Sequence, residues 1–152
     1  MSFYSIKQGI KNLIKWRKVI YNDRDWDHYY IYKILEKKLE HMENFFSSDD
    51  AYSAKASEEA HKLMIAKNLA KRLVNDDYLS NATIEYDKVY SNDDLFTFEP
   101  TDNLKFSRLV NAGTKQQHDM FGRCGKHSDI MRKQDREMLF DLLKKNIEGW
   151  WD

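Results

Sequence analysis

The chain has 152 residues, 41% hydrophobic and 14% aromatic, enough for one packed core and too apolar for a disordered chain. Lys plus Arg and Asp plus Glu both number 25, which removes any general electrostatic signal for nucleic acid or membrane. One cysteine, Cys124, excludes an internal disulfide framework and fits a reducing compartment.

One proline and five glycines leave few interruptions to long helices. No apolar run approaches the roughly 18–20 residues of a membrane span. The start, MSFYSIKQGIKNLIKW, lacks a continuous apolar core and a small-residue cleavage site, so a soluble intracellular protein is expected.

In chain order, residues 3–20 predict a first amphipathic helix with Ile6, Ile10, Leu13, Ile14 and Ile20 on one stripe. Lys7, Lys11, Lys15, Arg17 and Lys18 decorate it, with no acid before Asp23. A helix of this kind either packs its stripe on the core, the reading preferred here, or meets a membrane surface or an acidic partner.

Trp26–Phe46 predicts a long central helix. Its apolar side chains recur at Tyr30/Ile31, Ile34/Leu35, Leu39, Met42 and Phe45/Phe46, and Asp25 or Asp27 stands at the N-cap. A polar stretch follows, and then a third helix through HKLMIAKNLAKRLVNDDY with Leu63, Ala66, Leu69, Ala70 and Leu73 on its stripe. The alanines suit close packing in a helical hairpin with the central helix.

Residues 75–104 carry eight acids against one base, Lys88, and read as an irregular acidic excursion. Within it ATIEYDKVY suits a short helix or strand, and LFTFEP a brief edge strand ended by Pro100. A fourth helix is expected from Leu104 to about Asn111, and a last one from Ser128/Asp129 to Gly149. Between them, NAGTKQQHDMFGRCGKHSD reads as a polar loop with three glycines. The fold expected is mainly α, a single-domain bundle of four to five helices over residues 1–152.

From Lys105 to Arg136 eight bases face three acids, and His118 and His127 lie in the same stretch. The spacing His118-x5-Cys124-x2-His127 lacks the paired cysteines and fourth ligand usual for structural zinc, so ordinary loop histidines are the simpler reading. No GxSxG, Walker A or HExxH pattern is present, and no catalytic residue is assigned.

Anion chemistry has the better physical case: phosphates need cations or helix N-termini, and a base needs flat side chains. Lys38, near the edge of the central stripe, either snorkels outwards or needs an anion. Trp150-Trp151 at a position that normally frays suggests a docked terminus, on the core by default.

Trp26-Asp27, Glu36, Lys38-Leu39, Met42 and Phe46 carry a resemblance, together with Ala66, Leu69, Arg72-Leu73 and Asp77-Tyr78. Lys133-Gln134-Asp135, Leu139-Phe140 and the ending Trp150-Trp151-Asp152 complete it. With these residues the chain resembles a family of small uncharacterised proteins of tailed bacteriophages that end in Trp-Trp-Asp. The resemblance implies a phage protein in the cytoplasm of an infected bacterium and supplies no mechanism.

The function expected from it is counter-defence: binding and sequestering a host nucleotide immune signal, an ADP-ribose-derived one among the candidates, without cleaving it. The alternatives are a protein-binding inhibitor of a host defence protein and a nucleotide-cleaving hydrolase. The expected partner is a small nucleotide, with no cofactor, membrane or nucleic acid, and homo-oligomerisation stays open. Charge balance puts the expected site between the last helix and the start of the central one. It is lined by Lys38, Arg72, His118, Arg123, His127, Trp150 and Trp151, with helix N-termini near Trp26 and Ser128 as further donors.

Overall fold

The computed structural model describes residues 3–90, 95–103 and 105–150. It is mainly helical. The elements are α1 (Phe3–Tyr21), α2 (Tyr29–Phe46), α3 (Ala56–Asn75), α4 (Tyr78–Ala82), α5 (Ile84–Tyr90), β1 (Phe96–Pro100), β2 (Ser107–Asn111) and α6 (Lys115–Asn146), followed by a 3₁₀ turn at Ile147–Gly149. The described residues thus form six helices, two of them short, and one small sheet. Contacts divide the chain into two compact units, Met1–Asn75 with Gln134–Asp152, and Asp76–Lys133.

In the first unit α2 and α3 pack as the expected hairpin. α3 buries Ala60, Leu63, Ala66, Leu69, Ala70, Leu73 and Val74, a three-and-four repeat that turns one face inward. Ala66 and Ala70 are fully buried, and their small side chains let the α2 backbone approach. Leu39 of α2, Leu63 of α3 and Leu139 of α6 are the largest fully buried side chains. Lys67 of α3 meets Glu43 of α2 in an ion pair at 2.5 Å. Asp27 accepts a hydrogen bond from the Tyr29 N–H at 3.0 Å, satisfying a donor at the start of α2.

The first helix departs from the core-packed reading. Ile6, Ile10, Leu13, Ile14 and Ile20 are 48–67% exposed, and Val19 is the buried residue of α1. The helix is held near its C-terminal end, where the Trp16 ring meets His41 of α2 edge-on at 5.2 Å between centroids. The apolar stripe therefore points away from the contact that holds the helix.

In the second unit the acidic excursion is mostly regular. ATIEYDKVY contributes α5, and LFTFEP contributes β1, which pairs antiparallel with β2 so that Phe98 stands opposite Leu109. Tyr86 is buried against Phe121 of α6, with ring centroids 5.5 Å apart. Asp76, with φ of 52°, is the one positive-φ residue other than glycine among the described residues. Its carboxylate receives Arg132 Nε at 2.8 Å and lies 2.7 Å from Nη2. Asp tolerates the left-handed region better than most residues, and the ion pair holds it there.

Two boundaries are corrected. The helix expected at 104–111 is instead strand β2 where described, and the polar loop before Ser128 is the first part of α6. The start signal is a capping box at Thr114-Lys115-Gln116-Gln117. Gln117 Oε1 accepts from the Thr114 N–H at 2.6 Å, and the Gln117 N–H donates to Thr114 Oγ1 at 3.3 Å. Gly122 and Gly125 lie inside the helix, at roughly 1 kcal/mol each relative to alanine, a cost that a long helix absorbs. Ser128 is consequently buried in mid-helix and offers no N-terminal anion site.

Removing the Thr114 hydroxyl in Thr114→Ala is expected to destabilise this unit by about 1 kcal/mol, the usual worth of a side-chain N-cap. Gln117→Ala should cost at least as much, because Gln117 is buried. Urea titrations followed by circular dichroism check both, and unchanged midpoints would discount the cap.

Candidate functional site

The site residues expected from sequence fall in both units. Lys38 is exposed on the outer side of α2, where one face also carries the exposed Ile34 and Phe45. It snorkels, as its position at the stripe edge allowed. Arg72 is committed elsewhere: its Nε lies 2.8 Å from Asp135 Oδ2, and the Asp135 side chain is only 5% exposed. A buried carboxylate needs that cation more than a ligand would.

In the second unit Arg123 and His127 are exposed, one turn apart on α6. His118 is about 140° and 180° away from them around the helix. It is half-buried with its ring 5.4 Å from that of Phe96, and no hydrogen-bond partner for its Nε2 is found among the described residues. Trp150 is 6% exposed, docked as its default reading required, with its indole N–H unpartnered among the described residues. Trp151 lies outside the described residues. Neither unit by itself assembles the expected set.

A different cluster is assembled inside the first unit. Between α1 and α2 runs an open groove of about 410 Å³, lined by Lys15, Arg17 and Lys18 from one helix and Lys33, Glu36, Lys37 and Glu40 from the other. Five cations there face two carboxylates. A second hollow of about 290 Å³ shares Lys18, Val19 and Lys33 with it and adds Asn22, Tyr29 and Tyr30. The two hollows adjoin at Lys18, Val19 and Lys33, one rich in cations and the other bearing the phenol rings.

Local geometry explains the charge. Lys33 Nζ donates to Glu36 at 2.9 Å, and Lys37 Nζ donates to Glu40 at 2.5 Å, both within a turn of α2. The hydrogen bond to Glu36 raises the Lys33 ammonium above its ordinary range, and the one from Lys37 lowers the Glu40 carboxyl. Both acids of the groove are thus occupied. Lys15, Arg17 and Lys18 make no ion pair among the described residues, since the first helix contains no acid at all. The groove keeps an unneutralised positive potential beside its tyrosines.

His41 reports that potential. Its imidazole is held below its ordinary 6.5, first by burial against its neighbours and then by repulsion from Lys37 and Lys15. Among the described residues no group of three or more His, Cys, Asp or Glu is placed to hold a metal ion. Nor is any helix long and apolar enough to cross a membrane.

No family model, curated protein or solved structure matches the chain. The groove was nevertheless signalled in the sequence by an acid-free first helix and by lysines at positions 33 and 37, one helical turn apart.

The His41 shift has a definite sign. A folded value below the unfolded one means that the native state favours neutral imidazole. Its stabilising contribution is complete above about pH 6.5 and falls as the pH drops from there toward the folded value. Unfolding free energy is therefore expected to decline on acidification through that window, and His41→Phe should flatten the decline. A pH series of denaturant melts tests it; identical slopes for both proteins would contradict the assignment.

Proposed function

We propose that the protein is a non-enzymatic nucleotide binder that uses the α1–α2 groove to sequester a signalling nucleotide. In this reading a phage places it in the host cytoplasm as a counter-defence factor, and an ADP-ribose-derived signal is the first ligand to try. The observation that carries the reading is the set of three cations without an ion pair among the described residues, Lys15, Arg17 and Lys18, of which Lys18 also lines the adjoining hollow with Tyr29 and Tyr30. Diphosphate oxygens take charge-assisted hydrogen bonds from such cations, and a base or ribose takes the flat aromatic faces. The larger hollow, about 410 Å³, falls within the size range of small-ligand sites. The anion site thus moves from the C-terminal basic stretch to the first two helices.

A second reading, direct inhibition of a host protein, is favoured by the β1–β2 ribbon. Phe98 and its cross-strand partner Leu109 both stand exposed there, as a protein contact would use them.

Calorimetry with ADP-ribose and related dinucleotides should show saturable binding, and heat denaturation should release the ligand chemically intact. Lys15→Ala with Lys18→Ala should weaken binding by about 3 kcal/mol or more, at roughly 1.5–3 for each charged hydrogen bond. Arg123→Ala with His127→Ala should leave it unchanged. The bound phosphates should also raise the His41 titration by offsetting Lys15 and Lys37. No binding, or binding lost only through Arg123 and His127, overturns the groove assignment; release of a cleaved product indicates a hydrolase.

A further inference from the structure

The first helix presents a second surface. At about 100° per residue, Ile6, Ile10, Leu13 and Ile14 occupy one arc of α1, continued by Ile20 and Tyr21, and all six are exposed. Lys7, Lys11, Lys15 and Lys18 fill the adjoining arc, spanning about 80°. Arg17 lies within the apolar arc near its C-terminal end, where a long side chain can reach out of it. Trp26, just beyond the helix, is 82% exposed.

We infer that α1 docks on an anionic lipid surface, lying in the plane of the headgroups. Isoleucines and leucine enter the acyl boundary, while the neighbouring lysines stay among the phosphates. Exposed Tyr21 and Trp26 supply the amphipathic rings favoured at such a boundary. Charge weighs against an antiparallel second copy of the chain as the occupant. The lysines border the apolar arc on one side, and Ser5, Gln8 and Asn12 fill the other with uncharged groups. A two-fold antiparallel pairing of α1 with itself sets like flank against like flank, lysines facing lysines, with no acid in the helix to relieve them. An anionic surface meets every lysine with an opposite charge. Ile14, Lys15 and Lys18 line the groove as well, whereas Ile6, Ile10, Leu13, Lys7 and Lys11 do not, so substitutions at these five test the inference separately from the nucleotide reading.

The test is flotation of the full chain with vesicles of phosphatidylcholine alone and of phosphatidylcholine mixed with phosphatidylglycerol, at low and high salt. The protein should rise with the anionic vesicles, less so in high salt, and stay behind with the neutral ones. Ile6→Ser, Ile10→Ser and Leu13→Ser together should lower that binding more than about tenfold, as loss of the inserted apolar area requires. Lys7→Glu with Lys11→Glu keeps the apolar arc and should abolish the preference for anionic lipid. Circular dichroism establishes that each variant is folded. Equal flotation with both lipids, or none with either, overturns the inference. So does concentration-dependent self-association in sedimentation that the triple variant removes, which assigns the stripe to a second copy.

Discussion

The close approach of α3 to α2 is the constraint on which the rest of the first unit depends. Ala66 and Ala70 sit on the buried face where larger side chains would hold the helices apart, and Leu39 and Leu63 fill the space this leaves. Interiors packed at crystal-like density accept little change of volume, so this seam sets the separation for everything laid on it. Lys67 and Glu43 face each other across it because the two backbones are near. Arg72, one turn from the end of α3, is then in place to neutralise the buried Asp135. Its Nε neutralises that buried carboxylate and completes the core.

The elements that proved legible are those whose side-chain period matches their burial. α3 shows the repeat of Leu63, Ala66, Leu69, Ala70 and Leu73 in the sequence and buries those same residues. α1 carries an equally regular repeat, yet its stripe faces solvent. Periodicity specifies that a helix has an apolar face, and only tertiary contact specifies what covers it. α6 failed for the opposite reason. Gly122 and Gly125 read as loop residues, although breakers cost only about a kilocalorie in a helix, and the capping box at Thr114 and Gln117 marks where this helix begins.

For the candidate site, charge density along the chain points to residues 105–136, whereas charge pairing in space points to the groove between the first two helices. The basic stretch 105–136 spreads its cations around a helix, and Arg132 is taken by Asp76. The groove draws its cations from two helices, of which only the first stands out locally by its lack of acids. Lys33 and Lys37 occupy their neighbouring acids, which leaves the acid-free first helix to set the potential. Its legible part was the missing acid; the unreadable part was which face of α1 would turn toward α2, a matter settled by Trp16 on His41.

The two glycines within α6 have a dynamic consequence. A methyl group at Gly122 or Gly125 would meet nothing within 4 Å among the described residues apart from its chain neighbours and its own helix backbone, so no packing partner requires their smallness. Without side chains, these positions give up helix propensity and leave the backbone hydrogen bonds around Cys124 open to water. Amide protons in this segment are expected to exchange through local opening rather than through unfolding of the whole unit, unlike those around the fully buried Leu139 further along the helix. Alanine at either glycine would slow that exchange, separating the local breathing of the helix from the global stability of the fold.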